Sequence, residues 1–377
     1  MNNTTSPPQT FPNLSEITFT VFMILISLIG AVGNTFVIVA VLVNKKLRST
    51  TNILILNLSV ADFFVCFVAI PLRVLAGIVR GLLSFIECPF ILSLTIFFDG
   101  ASRVNTLLIA LDRFGAIKWP FLYISVVTKR ALSWVVFLCW TIMLNIGLLP
   151  LFGVGLKTKP STSTMCFFFN NLSTEFICLF VFAFCIFPLM LIIPINCFLF
   201  RTSFKQMKKI HEQKLSLGII NPACTAVKEN SNGNIEKENQ KITSNSKAST
   251  SLRVLVKQSR VAKMVTILIA SFIILVTPIS MIDLIQTFYP EVDIPPYVSK
   301  IAVGMIYLNS AINVFIYAGY NLEFRKTFYF MFRRTREQFS SEVGPSSVSG
   351  VRFTKTGSKD GEKNNVQLLS FKTIPNL

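Results

Sequence analysis

Seven stretches of this chain are each long and apolar enough to cross a lipid bilayer, and that leaves few folds open to it. About 20 consecutive apolar residues span the hydrocarbon core. Such runs lie near 17–43, 53–79, 88–113, 131–153, 174–200, 261–288 and 297–318. In lipid a lone segment must satisfy its backbone internally, so runs of this length are helices. The connections at 80–87 and 154–173 are short, and each helix must turn back on the one before. Composition agrees: 14% of the 377 residues are charged, against roughly 25% in a typical soluble chain. The expected fold class is an all-α membrane protein, a seven-transmembrane helix bundle.

Charge sets the expected orientation. Before Asn44 the only charged residue is Glu16, whereas Lys45, Lys46 and Arg48 follow the first run directly. Basic residues beside span ends stay in the cytoplasm, which puts the amino end outside at the plasma membrane. The net charge of +18 then falls on the connections and tail at the inner leaflet, facing membrane lipids. No soluble basic domain exists to carry a nucleic-acid partner. Sequons at Asn2, Asn3, Asn13 and Asn171 fall on the outer side, as glycosylation requires. The sequon at Asn57 lies within the second run and reads as chance. Five cysteines (Cys66, Cys139, Cys178, Cys185 and Cys197) fall inside runs, where a small apolar filler is the ordinary role. Cys88 and Cys166 are the two near the oxidising outer face, and they are expected to pair.

The organisation expected is a short outer segment at 1–16, a bundle at 17–318, an amphipathic helix at 319–334 and a tail at 335–377. Residues 211–256, rich in Asn, Ser, Lys and Glu, are expected to be a disordered cytoplasmic loop flanked by helical extensions. The stretch NLEFRKTFYFMFRR interleaves basic and aromatic residues, which suits a helix lying on an anionic leaflet. The tail beyond is rich in Ser and Thr; it reads as a phosphorylation region or as a polar unfolded tail.

Ionised side chains are costly at membrane depth and tend to mark function. The stretch FFDGASRVNTLLIALDRF in the third run holds four: Asp99, Arg103, Asp112 and Arg113. Asp99 and Arg103 are four residues apart, so they share a helix face and can pair, which makes their burial tolerable. Asn34, Asp62, Ser102, Asn309, Ser310 and Asn313 come to similar depths at about 1.5 Å per residue. A carboxylate ringed by hydroxyl and amide oxygens suits a hard cation. A hydrogen-bonded network between packed helices fits equally.

Order and spacing of these residues resemble the rhodopsin-like (class A) G protein-coupled receptors over nearly all the runs. The matching pieces are Gly33–Asn34, LSVAD ending at Asp62, Cys88, LDRF with KWPFLY, Trp140 with Pro150, Pro188, Phe272 with Pro278, and LNSAINVFIY. The resemblance implies a receptor that reads an extracellular ligand and activates a heterotrimeric G protein, with arrestin and receptor kinases as further partners, and no enzyme activity. It assigns the switch to Asp112, Arg113, Asn313 and Tyr317, and an allosteric sodium ion to Asp62, Ser102, Asn309 and Asn313. It also implies the Cys88–Cys166 bridge. The ligand-pocket candidates are Arg73, Thr95, Asp99, Ile279, Asp283 and Tyr307.

This chain departs from the family pattern in particular places. Val276 replaces the usual tryptophan of the sixth run, Val314 the proline of the seventh, and Asn196 a tyrosine of the fifth. Gln258 stands where many members carry an acid that locks Arg113, which suggests basal signalling. Thr95 replaces the carboxylate that amine receptors use, and Tyr307 replaces the lysine an opsin needs. Arg73 and Arg80 could attract an anionic or zwitterionic ligand with Asp283 opposite, or they could snorkel to the interface. A transporter or channel is the alternative class; it would call for inverted repeats, and none is visible.

Overall fold

All seven runs are helical in the computed structural model, which describes residues 14–78, 87–157, 167–216 and 235–342. The spans are Leu14–Val43, Thr50–Ile78, Cys88–Lys118, Lys129–Phe152, Thr174–Ile210, Ser259–Phe288 and Pro296–Tyr320. The third span is central: 67% of its most apolar window is buried by protein, against 17% for the fourth. The first packs on the second and seventh, and the third touches the second, fourth, fifth and sixth. These spans lie in the unit Met1–Phe332; of the second unit, Arg333–Leu377, only 333–342 are described, and they are helical.

Prolines explain where the helices lose regularity. A proline has no N–H and its ring clashes with the carbonyl four residues earlier. Pro71 therefore disturbs the turn at Phe67, and Pro188 the turn at Phe184. At both places the chain adopts a π-helical turn, Val65–Ala69 and Phe182–Ile186. Such a turn holds one extra residue and rotates the rest of the helix by about 100°. Arg73 follows the first of these turns and Cys185 lies inside the second, and both side chains meet the bundle interior. The fourth span ends at Leu149–Phe152, where Gly153 takes a left-handed φ of 81°. Gly153 N–H donates to Pro150 and Val154 N–H to Leu149, both backbone carbonyls, closing the helix end.

Two boundaries differ from the sequence reading. Helix covers 211–216 and, as the start of Ile235–Phe288, also 235–256, so the stretch expected to lack structure is helical at both ends. Residues 217–234 lie outside the described set. Glu, Lys, Gln and Ala are good helix formers, and extending a helix already nucleated in the bilayer costs little. The final helix runs Leu322–Glu342, starting three residues later than expected and continuing past 334. Asn321 sets the start, because its side-chain oxygen accepts from the N–H groups of Glu323 and Phe324. Its apolar face docks on protein: Phe324 is fully buried, 5.9 Å from the ring of Tyr317, and Phe328 meets Phe36.

Candidate functional site

Polar side chains gather at three levels along the interior. At one end, the second, third, sixth and seventh spans enclose a partly open cavity with the segment around Phe167. It brings together Arg73, Thr95, Asp99, Ile279, Asp283 and Tyr307, all six pocket candidates from the sequence. Arg103, Phe167, Phe168, Val303 and Ile306 complete the lining. The two phenylalanines lie in a connection between spans, where the period of the apolar runs could not place them. Gly155 holds that connection down with a φ of 78°, its backbone against the Phe176 ring where a Cβ would clash.

Asp99 and Arg103 form the cavity floor as a buried ion pair, with guanidinium nitrogens 2.6 and 2.7 Å from Asp99 Oδ2. Arg103 also donates to the Cys185 sulfur and lies over the Phe180 ring. Ser280 Oγ donates to the same sulfur at 3.3 Å. Cys185 therefore is not the plain apolar filler expected from its position; it bridges the third, fifth and sixth spans. The proline-driven π turn was the signal that could have revealed it.

The middle level centres on Asp62, which is fully buried. Ser102 Oγ donates to its Oδ1 at 2.7 Å, and Asn313 Nδ2 to its Oδ2 at 2.8 Å. Asn34 sits beside this group, its amide donating to the backbone carbonyls of Gly30 and Ser310 at 2.9 and 3.0 Å. Ser310 and Asn309 are buried on the seventh span. Four buried oxygens here lack a hydrogen-bond partner among the described residues: Asn34 Oδ1, Ser59 Oγ, Asn309 Oδ1 and Asn313 Oδ1. Tyr317, fully enclosed, also has an unpartnered hydroxyl. Asn57, which reads from sequence as a chance sequon, is a structural link. It bonds Asn105 and accepts from Trp140 Nε1 at 2.8 Å, joining the second, third and fourth spans.

At the far end, Asp112 and Arg113 pair as neighbours, with nitrogens 2.7 and 2.8 Å from Asp112 Oδ2. Sequence reasoning missed two further partners. Thr51 Oγ1 donates to Asp112 at 2.9 Å, and the Tyr123 hydroxyl at 2.5 Å. Tyr123 rides on the short helix Pro120–Val126, and the KWPFLY motif was its trace in the sequence. Burial, followed by the bond to the Asp112 carboxylate, pushes the Tyr123 hydroxyl up to about 12, so it stays a donor at any physiological pH. The Gln258 side chain is outside the described set.

Cys88 is disulfide-bonded, and Cys66, Cys139, Cys178, Cys185 and Cys197 are free. Cys166 lies outside the described residues, as do Asn2, Asn3 and Asn13. Asn171 closes a short helix, Phe168–Asn171, and its amide nitrogen donates to the Phe167 carbonyl at 2.9 Å.

A family model described as "7 transmembrane receptor (rhodopsin family)" matches residues 33–317. The chain is 25% identical over 373 residues to the adenosine receptor A2a of Cavia porcellus, covering 94% of this chain and 82% of the relative. It is 25% identical over 337 residues to the adenosine receptor A2b of Gallus gallus, covering 84% and 88%. The adenosine receptor A3 of Ovis aries is 32% identical over a shorter match of 153 residues, covering 41% and 48%.

Proposed function

The chain belongs to the rhodopsin family of seven-transmembrane receptors, and on that footing we propose that it reads an extracellular ligand in the Asp283 cavity and signals to a heterotrimeric G protein at the Arg113 end. The observation that carries this is one interior with two chemically distinct ends. A partly open charged cavity lies at one end, and at the other an arginine is held by its neighbouring carboxylate 2.7 Å away. The basic residues after the first span orient the Arg113 end to the cytoplasm of the plasma membrane. Arrestin and receptor kinases fit the Ser/Thr-rich tail. Asp112 is the sole ion-pair partner of Arg113 among the described residues, which supports appreciable basal activity.

The relatives are adenosine receptors by name, whereas the charges of this cavity ask for a different ligand chemistry. The purified chain in lipid should accelerate GDP release from at least one G protein. Ion current across the same bilayers without nucleotide exchange would point instead to a channel or transporter.

The Asp62 level also fits a sodium ion. Hard cations take oxygen ligands, and unpartnered oxygens beside a buried carboxylate supply them. Asp62, Ser102, Asn309 and Asn313 would hold it, with Ser310 and Asn34 bracing the seventh span. A bound ion stabilises the conformation that holds it, by about 2.7 kcal/mol at a hundredfold excess over its dissociation constant. We predict that sodium raises the melting temperature of the purified protein above that in choline at equal ionic strength. Asp62→Asn should abolish the difference; an undiminished sodium response in that variant would remove the assignment.

A further inference from the structure

We propose that the cavity takes a small zwitterion of the amino-acid class, its ammonium on the Asp283 carboxylate and its carboxylate on the Arg73 guanidinium. This rests on the receptor reading above and names the ligand chemistry of that site.

Four charged side chains line the cavity, and two of them cancel. Asp99 and Arg103 are paired at 2.6 Å within one helical turn, so the floor is neutral. The remaining two have opposite signs and sit on different spans. Asp283 is 6% exposed, and its carboxylate makes no hydrogen bond or ion pair among the described residues. It lies in the field of Arg103 and Arg73 without touching either. Arg73 is half-buried with its guanidinium 5.5 Å from the Phe167 ring centroid, on the cavity wall. An arginine snorkelling to the interface would point away from the bundle; this one does not. It too has no carboxylate partner among the described residues.

Leaving a carboxylate buried without a partner is costly, and the fold has not met that cost internally. An anion alone would engage Arg73 and leave Asp283 unpaired beside it. A cation alone would engage Asp283 and leave the Arg73 guanidinium uncompensated, repelling it from across the cavity. A molecule carrying both charges satisfies each end and fills the gap between them. Ile279, Val303 and Ile306 line the cavity along with these charges, so an apolar body is favoured.

The test is ligand-induced thermal stabilisation of the purified full chain in lipid nanodiscs. The probes are apolar α-amino acids and ω-amino carboxylates of increasing chain length. Each is compared with the amine and the acid that lack one charged group. At least one zwitterion should stabilise the wild type, with both single-charge analogues weaker by about tenfold or more, as the loss of a charge-assisted hydrogen bond predicts. Asp283→Asn should erase the preference of zwitterion over acid, and Arg73→Gln the preference over amine. Neither charged group is bonded to another described residue, so both variants should remain folded. Absence of any stabilising zwitterion, equal binding of a single-charge analogue to the wild type, or unchanged preferences in both variants would each overturn the proposal. GDP release measured on the same samples separates the two readings. A stabilising zwitterion with no G protein activity would keep this ligand class and reject the receptor role.

Discussion

Arg113→Ala is expected to lower G protein nucleotide exchange by roughly ten- to a hundredfold, the weight of about 1.5–3 kcal/mol carried by charge-assisted hydrogen bonds. Surface delivery and melting temperature should be close to wild type. The Arg113 side chain is 19% exposed and its only ion pair among the described residues is to its neighbour, so the fold loses little with it. Asp112→Asn should act in the opposite direction. Asp112 anchors Arg113 while accepting from Thr51 and Tyr123. An amide there keeps part of that network but loses the charge that restrains the guanidinium, and basal exchange should rise. Paired changes of opposite sign at neighbouring positions are hard to obtain from misfolding, which lowers signalling in both. Exchange assays on equal amounts of purified protein decide the matter.

The second large effect is on stability. Arg103→Met should cost about 3–5 kcal/mol, because removing one partner of a buried pair strands the other charge. The side chains of Arg103 and Asp99 are 5% and 10% exposed, so water does little to relieve a stranded charge. Asp283, which has no bonded partner among the described residues, would also lose the positive field of Arg103. Asp99→Asn should be milder, as Arg103 keeps Asp283 in its field and the Cys185 sulfur as acceptor. The double change Asp99→Leu with Arg103→Met should recover much of the loss, because the pair then leaves no stranded charge on the third span. Melting temperatures in detergent measure this, with a drop on the order of ten degrees expected for Arg103→Met. A double variant no better than the worse single one would mean that the pair does not govern stability here.

Much of the architecture was legible because the bilayer imposes it. Span length and the need to satisfy every backbone group leave little choice, so each of the seven runs became a spanning helix. Span ends were less legible where polar residues come after apolar ones without a break. The fifth helix runs on to Ser216 through FKQMKKI, past the apolar stretch that marked the span. Depth arithmetic placed Ser102 and Asn313 against Asp62 correctly, since rise per residue is fixed. Rotation about the helix axis is less secure, and the π turns changed it. Arg73 reads from sequence both as a pocket candidate and as a snorkelling arginine, and after the turn at Val65–Ala69 it lies on the cavity wall. Cys185 reads as filler until the turn at Phe182–Ile186 aims it at Arg103. Partners contributed by short segments between spans, Phe167 over Arg73 and Tyr123 on Asp112, leave no periodic trace. Asn57 lies within the second span, where its sequon is chance, and its bonds to Asn105 and Trp140 leave no pattern in the sequence.

Signalling across the membrane requires the cavity to face outward and Arg113 to face the cytoplasm. The direct measurement is epitope accessibility in cells, with one tag at the amino terminus and another within 217–234, between the fifth and sixth spans. Antibody should reach the first on intact cells and the second only after permeabilisation. Labelling of the 217–234 tag on intact cells would place Arg113 on the outside and contradict the whole scheme.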